Sequence, residues 1–134
     1  MNYTNIEQSK KLLELGLNPE SADMIFLSET DEHWDAVIAI PYKDYKEKEK
    51  CIPCWSVGAL LEVMPPTIVA NYYKDHTNLF QMSLTPAPER NKFSITYDTS
   101  MREICLISKN GESSLEAAYY MTVWLLENNY IKKE

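Results

Sequence analysis

The sequence predicts an α+β fold, with one antiparallel sheet of about four to five strands packed by three helices in the order α-β-β-α-β-β-β-α. Three observations lead there. Segments with apolar residues at helical spacing open, divide and close the chain. Short runs in which apolar and polar residues alternate lie between them, the period of a half-buried strand. Several of these runs follow one another without an intervening helix, which favours an antiparallel meander over βαβ units. At 134 residues the chain suits a single domain, residues 1–134. It can bury roughly two-thirds of its unfolded surface without a disulfide or structural metal.

The first helix is expected from about Asn5 to Leu15. Thr4-Asn5-Ile6-Glu7 has the spacing of a capping box, and Ile6, Leu13 and Leu17 share one side. Gly16 suits a left-handed cap, and Asn18-Pro19 stops the helix. Met24–Leu27 and Ala36–Ile40 read as strands joined by the polar stretch SETDEHWD. The mixed-charge run KDYKEKEK, Lys43–Lys50, reads as a solvated loop. Ser56 is a good N-cap for a two-turn helix whose Val57, Leu60, Leu61 and Met64 follow helical spacing. Trp55 can staple onto Leu60, and Pro65-Pro66 ends the turn.

Thr67–Tyr73 has only a weak strand preference and is not counted in the order above. Leu79–Leu84 and Phe93–Tyr97 alternate as a hairpin pair joined by PAPERN. Glu103–Ser108 gives a further strand, with Lys109-Asn110-Gly111 as a turn. The final helix spans Ser113–Asn129 and starts with a capping box between Ser113 and Glu116. Leu115, Ala118, Tyr119, Thr122, Leu125 and Leu126 form one face. Ala117, Met121 and Trp124 widen it, leaving Glu116, Tyr120, Val123 and Glu127 as an outer stripe. A helix so apolar must be covered on more than one side, by the core or by a partner. Trp124, Tyr120 and Val123 are therefore the interface candidates, and a homodimer is the expected assembly. Trp124 is expected to pack among helices and sheet; an exposed indole would make it a binding anchor.

Composition excludes several functions. A makeup of 45% hydrophobic and 25% charged residues is that of a folded globular chain. Net charge is −7, and Leu12–Tyr42 contains acids but no Lys or Arg, a surface that repels phosphate. Nucleic acid is therefore not expected as a partner. With only 3 glycines, neither GxGxxG nor GxxxxGK[ST] occurs. No apolar stretch reaches the length of a membrane span, and MNYTNIEQSKKL has no signal-peptide apolar run. Three cysteines, an odd number, fit a reducing cytoplasm.

Cys51-Ile52-Pro53-Cys54 is the one chemical spacing. A CxxC at a helix start can form a redox dithiol, or half of a zinc site whose other two ligands would come from Cys105, His33 and His76. The metal candidates are thus Cys51, Cys54 and His76. The pair follows a charged run rather than a buried strand, and its tryptophan comes after the motif. The bland alternative makes Cys54 a small buried hydrophobe, Cys51 a loop residue and Cys105 a core cysteine. Asp31, Glu32, His33 and Asp35 read as a polar surface turn, and Ser56 as a cap rather than a nucleophile, since no GxSxG frames it. Tyr72-Tyr73 and Tyr119-Tyr120 read as packing residues rather than stacking platforms. No catalytic residue, bound metal or cofactor is expected. The reading is a non-enzymatic protein acting through protein–protein contacts; the alternative is a thiol- or metal-dependent enzyme centred on Cys51 and Cys54.

Three segments carry a resemblance: Ile6–Met24 (IEQSKKLLELGLNPESADM), Ile52–Pro65 (IPCWSVGALLEVMP) and Ser113–Lys133 (SSLEAAYYMTVWLLENNYIKK). They resemble small prophage and mobile-element proteins of gut anaerobic bacteria. The resemblance implies a cytoplasmic, phage-related or accessory protein and brings no catalytic residue with it. Asn129 stands where an ENGYI-like ending would carry glycine, and asparagine tolerates the left-handed cap.

Overall fold

The structure, a computed structural model, describes residues 2–27, 36–73, 76–87, 92–99 and 104–134. Helix α1 is Ile6–Glu14. Its N-cap is Asn5, one residue later than the Thr4–Glu7 spacing implies. The Asn5 side chain accepts from the Gln8 N–H at 2.7 Å, and the Gln8 side chain accepts from the Asn5 N–H at 3.0 Å. Thr4 is occupied elsewhere: it is buried, its hydroxyl lies 2.8 Å from that of Ser9, and it accepts from the Trp55 N–H. Leu12 and Leu17 face the core, and Gly16 closes the helix at φ 97°.

Strands β1 (Met24–Leu27), β2 (Ala36–Ile38) and β3 (Cys51–Cys54) form an antiparallel sheet in the order β2-β1-β3. Helix α2 (Val57–Val63) follows. Strands β4 (Thr67–Tyr73), β5 (His76–Ala87), β6 (Lys92–Asp98) and β7 (Cys105–Gly111) form a second, four-stranded meander. Helix α3, Ser114–Glu127, closes the order. The α+β class stands, with three helices, but the single expected sheet is two. SETDEHWD, with His33 and its acidic neighbours, lies outside the described residues, as do Glu103 and most of PAPERN.

The additional strands have physical explanations. In β3, all four residues are buried, so no alternation marks it, and Pro53 argues against a strand. An edge position tolerates proline, and β3 is an edge. Strand β4 pairs with β5 from Thr67↔Gln81 onward. Lys109-Asn110-Gly111 is not a free turn but the end of β7, paired to β6 through Phe93↔Gly111.

One face of the meander supplies Ile68, Phe80, Ile95 and Tyr97 to the main core. Leu115, Ala118, Met121 and Leu125 of α3 meet them, with Leu12 of α1 and Leu60 of α2. Trp55 is fully buried there, and its indole N–H donates to the Ser21 hydroxyl at 2.9 Å. A second cluster, Phe26, Ile52 and Cys54, sits on the small sheet. Ser113 caps α3 by accepting from the Glu116 N–H; the Glu116 carboxylate accepts from the Glu112 N–H rather than that of Ser113. Asn129 takes the left-handed conformation at φ 63°.

Candidate functional site

The cysteine pair sits in a conformation that separates its thiols. In an extended strand each residue advances about 3.3 Å, so the Cα atoms of Cys51 and Cys54 stand about 10 Å apart. A disulfide needs less than about 7 Å. Their odd separation also sends the two side chains to opposite faces of β3. Cys54 packs with Phe26 and Ile52, donates to the Thr4 carbonyl at 3.3 Å, and is pushed up to about 12 by burial. Cys51, across the strand, points its sulfur at the Lys48 carbonyl at 3.6 Å. Burial raises its pKa too, against the opposing pull of the Lys48 charge. Both thiols are neutral at physiological pH, the reverse of what a nucleophilic sulfur requires.

Two cysteine placements differ from the sequence reading. Cys51 belongs to a buried strand, not a loop, because β3 is closed on both faces. Cys105 is exposed at the start of β7, not in the core. An irregularity between Tyr97 and Asp98 breaks the register there and pairs Cys105 with Asp98. His76 opens β5 opposite Tyr73, in the other sheet from the Cys51–Cys54 strand. Among the described residues, no group of three His, Cys, Asp or Glu side chains could hold a metal ion.

A groove of about 380 Å³ is lined by Glu20, Ser21, Ala22, Asp23, Lys43 and Glu62, among others. Asp23 is committed to structure: its carboxylate accepts from the Ser56 N–H at 3.0 Å and from the Ser56 hydroxyl. The Ser56 oxygen in turn accepts from the Ala59 N–H at 3.1 Å, as an N-cap does. Among the described residues lining this groove there is no histidine or cysteine.

The helical interface candidates separate. Tyr120 is 41% exposed and donates to the Glu116 carboxylate at 2.9 Å. Val123 is half-buried on the same outer stripe. Trp124 is half-buried as well: it packs against the main core of helices and sheet but keeps part of its surface in solvent. It stacks on Tyr130, ring centroids 5.5 Å apart and planes 17° from parallel, because the turn at Asn129 brings Tyr130 back over the helix.

Among the described residues, the largest apolar exposure lies elsewhere. Val69 of β4 and Leu79 of β5 are direct cross-strand partners on the outer face of the meander, 63% and 50% exposed. Further along that face are hydroxyls: the Ser108 oxygen lies 3.0 Å from that of Ser94 and 2.9 Å from that of Thr96. The backbone of β4 adds a second feature. Met82 N–H donates to the Pro66 carbonyl at 3.1 Å. Bonded and non-bonded pairs alternate along an antiparallel ladder, so Ile68/Phe80 and Ala70/Asn78 are bonded pairs. Thr67 and Val69 therefore turn their N–H and C=O groups away from β5, at the end of the sheet, where no strand among the described residues follows. The signal for this surface was the weak strand Thr67–Tyr73, an uncharged run rich in β-branched and aromatic residues.

No family model, curated protein or solved structure matches this chain.

Proposed function

We propose that the protein is a non-enzymatic, phage-related or accessory protein that acts through protein–protein contacts in the cytoplasm. The observation that carries the contact reading is the exposed Val69/Leu79 pair beside a sheet edge whose backbone groups meet no strand among the described residues. Exposed apolar pairs next to unsatisfied edges favour association. The phage-related part rests on the resemblance of Ile6–Met24, Ile52–Pro65 and Ser113–Lys133. No membrane partner is proposed: no helix among the described residues is long and apolar enough to cross a bilayer. The acidic balance speaks against nucleic acid.

The competing reading is a thiol- or metal-dependent enzyme at Cys51 and Cys54, and the geometry of β3 weighs against it. Native thiol labelling, metal analysis and affinity capture with the wild type, Val69→Lys and Glu127→Ala test the two together. The contact reading is upheld when a protein held by the wild type and by Glu127→Ala is lost from Val69→Lys. It is overturned when one metal per chain is found, or when Cys51 or Cys54 reacts ahead of the exposed Cys105.

A further inference from the structure

We infer that the β4 edge is a self-association surface, on which a second copy of this chain lays its own β4 antiparallel and joins two meanders into one continuous sheet. This rests on the contact reading above and names its partner. The outward N–H and C=O groups of Thr67 and Val69 are the donors and acceptors that a further strand would satisfy. Natural edges are usually blunted by charge, proline or short length. Strand β4 is seven residues of TIVANYY, with no charged residue and no proline. The opposite edge, β7, carries Lys109 and runs straight into the cap of α3. The one irregularity in β4 lies between Asn71 and Tyr73, leaving Thr67–Asn71 regular.

Charge admits a second copy here. At a net charge of −7 two copies repel across most of their surface, and an acid-free strand is where that repulsion opposes contact least. Strand β4 is such a place. It also offers no carboxylate to a basic peptide. An identical strand, running antiparallel about a twofold axis, is self-complementary by construction. An axis near Val69 places Val69 beside its own copy and extends the exposed Val69/Leu79 strip across the join.

Light scattering at high micromolar concentration, with amide hydrogen exchange on the wild type at low and high concentration, tests this. The wild type is expected to run at twice the chain mass. Its Thr67 and Val69 amides should gain protection on concentration, while the Ile68 and Ala70 amides, already bonded to β5, should not. Val69→Lys, which sets two ammonium groups face to face, is expected to run as a monomer that still unfolds cooperatively, without the rise in melting temperature on concentration that the wild type shows, and Tyr120→Lys to remain a dimer. A wild-type monomer overturns the pairing, as does a dimer lost in Tyr120→Lys and kept in Val69→Lys. If Val69→Lys does not fold, the exchange pattern decides alone: no concentration-dependent protection at Thr67 and Val69 overturns the inference. A monomeric wild type that still captures a protein lost from Val69→Lys refutes self-pairing and leaves the contact reading standing.

Discussion

At Gly111 the absence of a side chain lets β7 meet α3. A Cβ there would stand 2.4 Å from the Ala117 nitrogen and 2.8 Å from the Glu116 carbonyl carbon, both backbone atoms that cannot step aside. Gly111→Ala is expected to cost about 2–3 kcal/mol, read as a lowered urea midpoint. The tryptophans divide by burial. Trp55 is fully enclosed and hydrogen-bonded, so Trp55→Ala should cost about 3–5 kcal/mol. Trp124, which the helical pattern places in the core, packs against it with one side in solvent, so its truncation removes only part of a core contact together with its stack on Tyr130. Trp124→Ala should cost about 1–2 kcal/mol. Glu127→Ala, on the exposed stripe, should stay within about 0.5 kcal/mol. Parallel urea melts of the four variants check the ranking.

At the scale of elements, β3 and α2 show how one short segment serves two roles. The turn from Cys54 into Ser56 passes from a buried strand to a helix cap held by Asp23. Ser56→Ala should cost about 1 kcal/mol, and Asp23→Ala a comparable amount. Because both remove the same linkage, the double variant should cost less than the sum, which a double-mutant cycle in urea measures. The strand conformation of Cys51 and Cys54 also sets an order of thiol reactivity. Cys105 should label in the native protein, with Cys51 and Cys54 labelling only as it unfolds. Mass spectrometry after timed maleimide exposure reads that order.

For the whole molecule, the buried acids set an alkaline limit. The Cys54 thiol holds its proton up to about 12 when folded, against 9.0 in a free thiol. Between those values the unfolded chain has lost a proton that the native state keeps, so stability falls as pH rises through that window. Below it the group adds no slope. The full effect is about 1.4 kcal/mol per pH unit. Tyr97, also raised by burial and donating to the Pro65 carbonyl, acts in the same direction above its ordinary 10.0. Urea midpoints are therefore expected to fall above pH 9, and Cys54→Ala to flatten part of that fall.

Local pattern carried the fold class, the three helices, the Ser56 and Ser113 caps and the outer stripe of α3, because spacing and capping act within a few residues. It also carried the strands whose two faces differ, such as Phe93–Tyr97 within β6. Pattern alone could not separate the two sheets, since strand partnership depends on residues far apart in the chain. Nor could it find β3, because a strand buried on both faces shows no alternation. The candidate contact surface was legible only as an uncharged run at Thr67–Tyr73; that it is an edge, with Val69 and Leu79 facing out, follows from which strand lies beside it and which does not. The CxxC spacing was legible, but its chemistry depends on conformation. On a helix start the thiols would converge, whereas on an extended strand they stand about 10 Å apart on opposite faces.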